Sequence, residues 1–176
     1  MTALLSREEK MQKPVLKRGN PLLAQMCQPV TDIEKVRPII LDMKDTLTHI
    51  AGLYEFKRGH GIAASQIGHL VRINIVQFNG ITQVLINPTM TDFSSDQIPI
   101  REGCLSFFDV RGNVSRYKAV TVTALDENGC PITIKATDNF AMLLQHELDH
   151  LDGILYVDRL PNGEKDLYPV ESMPII

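Results

Sequence analysis

Asn79-Gly80 and Asn128-Gly129 each stand between two runs rich in β-branched residues, "VRINIVQF" with "ITQVLINP" and "AVTVTALDE" with "CPITIKAT". Asn-Gly is the strongest short-range hairpin signal, because both residues tolerate the left-handed backbone that a type I′ turn requires. Two such pairs commit much of the chain to antiparallel strands. Between them, "IPIREGCLSFF" reads as a short strand that stops at Gly103 and Cys104. The 176 residues, 44% hydrophobic and 22% charged, suit a single domain spanning 1–176 and exclude disordered and fibrous classes.

Helical periodicity occurs in two places. "TDIEKVRPIILDMKDTLTHIAG" carries Ile33, Val36, Ile40, Met43, Leu47 and Ile50 at spacings of three and four, an amphipathic stripe. Thr31 with Glu34 forms a capping box there, while Pro38 favours a start nearer Arg37 or a kink. "YEFKRGHGIAASQIGHL" then reads as an irregular loop punctuated by Gly59, Gly61 and Gly68. Toward the C-terminus, Asp138 is a candidate N-cap for a helix running to about Gly153, a residue suited to a C-terminal cap. Apolar residues fall on both sides of that helix, Phe140, Leu144, Leu148 and Leu151 on one and Met142 and Leu143 on the other. Such a helix is buried. The tail after it, broken by Pro161, Pro169 and Pro174, cannot form one long helix.

The second helix contains "QHELDH". At about 100° per residue, His146 and His150 point within about 40° of each other, about 6 Å apart along the axis. Both imidazoles can reach one ion, and Glu147 projects beside it as a proton carrier. Burying two imidazoles on an apolar face is costly unless each has a partner. Gln145, Asp149 and Asp152 share the remaining flank, as a solvated strip or as groups that orient an imidazole. An open catalytic metal site commonly uses three protein ligands. Extension to HExxHxxGxxH fails because Tyr156 occupies the last position. Glu164 and Glu171 lie in the proline-broken tail and rank low. Cys104 is the better third ligand, since Gly103 beside it leaves room for an ion and water. Cys27 and Cys130 have no comparable reason to meet the helix.

Three cysteines match neither a disulfide framework nor a CxxC zinc pair, which fits a reducing compartment. The start "MTALLSREEK" has too short an apolar stretch for a signal peptide, and no segment reaches the roughly 18 apolar residues of a membrane span. A cytoplasmic location is expected. The net charge of −3 supplies no broad reason to bind nucleic acid or an anionic membrane.

"GHGIAASQ", "EGCLSF" and "QHELDH" together resemble the peptide deformylase family, recognised by a GxGxAAxQ loop, an EGCLS strand end and a HExDH helix in this chain order. The resemblance runs from "KPVLKRGNPLL" to "YVDRL". It implies that Cys104, His146 and His150 hold one divalent metal, Fe(II) by preference with Zn, Ni or Co accepted. It also implies that Glu147 is the general acid/base and that Gln66 and the Leu105 N–H hold a developing oxyanion. Gly61 would line the path of a peptide substrate, Glu102 and Arg116 would form a supporting ion pair near the cleft, and Arg111 would contact peptide. The implied reaction removes the formyl group from N-terminal formyl-methionine, with Met142 and Leu143 as candidates to line the methionine pocket. The implied partners are nascent formyl-methionyl peptides met near the ribosome by a monomer rather than a dimer.

Two positions depart from the family pattern. His60 stands where an aliphatic residue is usual, and Phe108 where a proline is common. The proline-broken tail lacks the terminal helix by which some members dock on the ribosome. The expected architecture is α+β, with antiparallel β-sheets surrounding a central C-terminal helix that carries HExxH. A peptidase using another third ligand, and a metal-binding protein without turnover, are the competing readings.

Overall fold

The computed structural model describes residues 13–56 and 58–170. The start "MTALLSREEK", Glu171 and Pro174 therefore lie outside the described residues. Five antiparallel strands form one sheet in the order β1-β2-β3-β6-β7. These are β1 His60–Ala63, β2 Ile73–Phe78, β3 Ile81–Phe93, β6 Ala119–Leu125 and β7 Pro131–Thr137. A second sheet contains β4 Gln97–Cys104, β5 Phe107–Tyr117 and β8 Tyr168–Pro169 in the order β4-β5-β8. The helices are α1 Ile33–Leu53 and α2 Asp138–Leu151. No helix among the described residues is long and apolar enough to cross a membrane.

Both expected hairpins form, β2 with β3 and β6 with β7. Asn79 and Gly80 have φ of 49° and 78°, as a type I′ turn requires. The turn after β6 is longer, and Asp126 closes it by accepting from the Asn128 and Cys130 amides. Sequence reasoning saw only the first half of a third hairpin. β4 stops at Cys104 as expected, turns through Leu105 and Ser106, and pairs with the 11-residue β5. That return strand carries Arg, Gly, Asn and Ser and no Asn-Gly turn, so alternation does not reveal it.

The expected irregular loop after α1 is corrected in part. His60–Ala63 is a strand, in register with β2 from His60 opposite Gln77 to Ala63 opposite Asn74. Glycine and alanine have low strand propensity, and pairing with a neighbour distant in sequence decides the outcome. A 3-10 turn, Ala64–Ile67, follows.

Two helix starts also differ from expectation. α1 begins at Ile33, with the Asp32 side chain accepting from the Glu34 N–H at 3.1 Å; Thr31 is not its cap. Pro38 lies inside the helix. Its missing donor removes one intrahelical bond, while the buried stripe from Val36 to Ile50 packs with Ile73, Ile75, Val84 and Ile86 of the large sheet. For α2 the N-cap is Thr137, without a side-chain cap bond, and Asp138 is the first helical residue. Gly153 just beyond the helix has φ 70°, the left-handed turn expected there.

Every α2 residue from Ala141 to Leu151 is buried. The helix packs on β1, β2, β6 and β7 of the large sheet and on β5 of the small one. Leu143, Leu144 and Leu148 meet Val76, Leu85, Val120, Val122 and Ile134. Toward the small sheet the contact is ionic. Arg116 of β5 holds Glu102 of β4 through Nε and Nη2 at 2.6 and 2.9 Å, and its Nη1 donates to Asp149 of α2 at 2.5 Å. Arg159 closes on the same Asp149 carboxylate. Asp149, ambiguous in the sequence, is thus the helix's anchor to the smaller sheet.

Burial alone would push the Glu102 carboxyl up, but bonds from Arg116 and His146 bring it down to about 2. A carboxyl depressed from its ordinary value stabilises the fold fully above pH 4.5 and loses that contribution as pH falls toward 2. Removing one partner of a buried ion pair costs roughly 3–5 kcal/mol. Glu102→Gln in metal-free protein is expected to lose stability of that order at pH 7. The gap to the parent should narrow by about 3 kcal/mol between pH 5 and pH 2, read from urea midpoints across that range.

Candidate active site

One cavity gathers most of the sequence-derived site. His60, Gly61, Gln66, Glu102, Cys104, Leu105, Met142, Leu143, His146 and Glu147 all line it, with Phe56, Arg58, Gly59, Arg101 and Gly103. β1 and β4, the outer strands of the two sheets, lie on its two sides, and α2 supplies the histidines and Glu147.

Cys104, His146 and His150 bring one donor atom each to within 4.8 Å of the others, and all three residues are buried. Cys104 Sγ lies 3.2 Å from His150 Nε2. Glu102 Oε2 lies 2.9 Å from His146 Nδ1. With its Nδ1–H given to that carboxylate, His146 keeps the Nε2 lone pair for the cavity. Burial pushes the Cys104 thiol up, but the adjacent imidazoles, His150 foremost, outweigh it and hold the thiol well below its usual range. Burial likewise disfavours the charged His146, yet bonds to Cys104 and Glu102 raise it well above an ordinary histidine. Each shift favours the charged form of its group through the other, and a divalent cation among these donors would compete with the proton.

The hairpin tip fixes the sulfur. The Ser106 N–H donates to Cys104 Sγ at 3.4 Å, and Lys17 Nζ donates to the Leu105 carbonyl at 3.0 Å. Gln66 is held in one orientation, its Oε1 accepting from the Ala63 N–H at 2.9 Å and its Nε2 donating to Ser106 Oγ at 3.2 Å. Its amide donor thus faces Cys104, 3.6 Å from the sulfur.

Glu147 is buried, and Oε2 has no hydrogen-bond partner. Burial pushes its carboxyl up to about 7 against the pull of His146 and His150. A carboxyl titrating near neutrality suits proton transfer. Gly61 accommodates it, because a Cβ there would meet Glu147 Oε1 at 2.6 Å. The residue's smallness therefore serves Glu147 as much as any ligand.

Gly103 also makes room for another side chain. A Cβ there would meet the Arg111 guanidinium at 2.6 Å. Arg111, expected as a peptide contact, is placed behind β4. Its side chain is 2% exposed, does not line the cavity, and donates through Nη1 to the Phe108 and Val110 carbonyls at 3.1 and 2.7 Å. The Glu102 carboxylate is likewise occupied by Arg116 and His146, as the supporting pair rather than as a free contact. His60 stacks on Phe56, ring centroids 4.3 Å apart, and burial lowers its basicity. Phe108 lies away from the cavity, packed on Tyr54 and under Lys17. Tyr156, at the position a metzincin would give to histidine, is buried against Phe107. Sequence reasoning missed Phe56, Arg58 and Arg101, isolated residues without a spacing signal; the alternation of β4 around Glu102 was the only pointer to Arg101.

Comparison with known proteins gives a consistent result. The family model for polypeptide deformylase matches residues 12–166. A peptide deformylase of Heliobacterium modesticaldum is 39% identical over 153 residues, covering 86% of this chain and 96% of that protein. Peptide deformylase 2 of Clostridium perfringens is 38% identical, covering 84% and 92%. The crystal structure of a Legionella pneumophila peptide deformylase superposes with a TM-score of 0.79 at 32% identity, over 88% of this chain and 90% of that one. A Met-Ala-Ser-bound class I type b peptide deformylase from Acinetobacter baumannii gives 0.75 at 32% identity, over 86% and 99%. On the family match and these identities, the chain belongs to the polypeptide deformylase family, whose members are hydrolytic enzymes.

Proposed function

We propose that this protein, as one catalytic unit, hydrolyses the formyl group from the N-terminal formyl-methionine of nascent peptides, using one divalent metal held by Cys104, His146 and His150. The observation that carries this reading is the buried donor set of Cys104, His146 and His150, two of which line, with Gln66 and Glu147, one cavity between two outer strands. The donors suit an ion: with metal–ligand distances of about 2.0–2.3 Å, the ligand atoms of one site stand roughly 3–4 Å apart. Glu102 already leaves one His146 nitrogen free, and Cys104 and His150 face each other at 3.2 Å. Thiolate with two imidazoles accepts Fe(II), Zn, Ni or Co, and Fe(II) is our assignment. When bound, the ion supplies a Lewis acid that makes water nucleophilic near neutral pH.

The chain's own groups do the rest. Glu147 Oε2 takes the proton from the attacking water. Gln66 Nε2 and the Leu105 N–H donate to the formyl oxygen as charge builds on it, each worth about 2.7–4 kcal/mol by analogy with other oxyanion donors. Glu147 then returns its proton to the amine nitrogen as the C–N bond breaks, so formyl peptide and water become formate and free amine. Met142, Leu143 and the Phe56 ring offer apolar surface to the methionine side chain. The peptide backbone runs between the outer edges of β1 and β4, with His60 and Gly61 along its path. That the related Acinetobacter baumannii protein carries bound Met-Ala-Ser supports a methionyl peptide as ligand. On this reading the enzyme is a cytoplasmic monomer that meets chains emerging near the ribosome.

The decisive assay measures formate and free amine from formyl-Met-Ala-Ser with anaerobically loaded iron, metal content being determined alongside. Chelation should abolish turnover. Glu147→Gln should keep the metal and lose about 10²–10⁴-fold in kcat, whereas Cys104→Ala should lose the metal itself. Retained metal and turnover in Cys104→Ala would sink the assignment.

Gly61→Ala separates geometry from chemistry. The added methyl must displace the Glu147 carboxylate, so kcat should fall roughly 10–100-fold while metal content stays at the parent level.

A further inference from the structure

Two arginines on the cavity rim have no role in the chemistry above. Arg58 lies in the turn just before β1 and Arg101 within β4, so they come from the two sides of the cavity, and both line it. Both are exposed. Neither enters an ion pair or a side-chain hydrogen bond among the described residues. The Arg101 guanidinium sits over the Tyr168 ring, 5.6 Å from its centroid, a cation–π contact that holds it without neutralising it. The carboxylates that line the same cavity offer no compensation. Glu102 is committed to Arg116 and His146, and both Glu102 and Glu147 are buried, away from the exposed rim. Arg111 behind Gly103 adds a further positive charge, close enough to Arg101 for the two to oppose each other. The rim is thus cationic in a chain whose net charge is −3.

We infer that Arg58 and Arg101 select formyl-methionyl peptides that carry an acidic side chain in the first positions after the methionine. The inference rests on the deformylase reading. A peptide extended between β1 and β4 advances about 3.3 Å per residue and turns successive side chains to opposite sides. With the methionine in the apolar interior, the next one or two residues emerge where the rim arginines stand on either side. A carboxylate there meets an unpaired guanidinium; an ammonium there meets repulsion. Both contacts are solvent-exposed, so the discrimination is modest and weakens with salt.

The test compares kcat/KM for formyl-Met-Asp-Ser, formyl-Met-Ala-Asp, formyl-Met-Ala-Ser and formyl-Met-Lys-Ser on the iron-loaded enzyme. At least one acidic peptide should exceed the neutral one by about 3- to 10-fold, through KM rather than kcat, and the lysyl peptide should fall below it. Raising NaCl from 0.05 to 0.5 M should compress the series. Arg58→Gln with Arg101→Gln should bring the acidic-to-neutral ratio to about one, and the double change to Glu should invert it toward the lysyl peptide. Equal turnover of all four peptides by the parent enzyme overturns this inference and leaves deformylation standing. A ratio unmoved by either double variant overturns it as well. No turnover of any peptide with iron content verified removes the deformylase reading and this inference with it.

Discussion

The buried chain of charge from Asp149 through Arg116 and Glu102 to His146 is the interaction on which the site depends. Its first link joins α2 to the small sheet, its second ties β5 to β4 within that sheet, and its third orients an imidazole. Four ionisable groups removed from water would be a liability singly. Here each carboxylate has at least two partners, with Arg159 completing Asp149, so the same bonds that attach the helix also orient the His146 ring. Structure and chemistry are not separable along this line.

Small residues have a comparable double role. Gly61 and Gly103 stand on opposite sides of the cavity, each lacking a Cβ because a functional or structural side chain from another element occupies that space. One admits the Glu147 carboxylate to the cavity. The other lets Arg111 pack behind β4 and so stiffens the strand that ends at Cys104. In both cases a backbone is brought close to an ionisable side chain from another part of the fold.

Legibility from sequence followed the range of the interactions concerned. The two Asn-Gly hairpins and α2 announce themselves within a dozen residues, and the pairing of His146 with His150 follows from helical pitch alone. β1 escaped notice because His-Gly-Ile-Ala has no strand signal of its own and takes its conformation from β2. β5 escaped because two of its inward positions are arginines, Arg111 and Arg116, so burial alternates there without an alternation of apolar and polar residues. Family position placed Arg111 near a cleft, yet position cannot say which way a side chain turns, and it turns inward. Asp149 became interpretable only with Arg116 and Arg159 beside it, residues 33 and 10 positions away. Arg58 carries no pattern and Arg101 only its place in β4 beside Glu102; their shared neighbourhood exists only once two sheets are brought together.

The separation of the cluster along the chain bears on how such a protein matures. Cys104 and His150 are 46 positions apart, on a hairpin tip and on the last long element of the fold. Closing so long a loop is entropically unfavourable until the intervening strands have paired. During synthesis the thiol therefore leaves the ribosome well before its imidazole partners. Assembly of the Cys104, His146 and His150 cluster becomes a late event, coupled to the docking of α2 rather than to the emergence of any single segment.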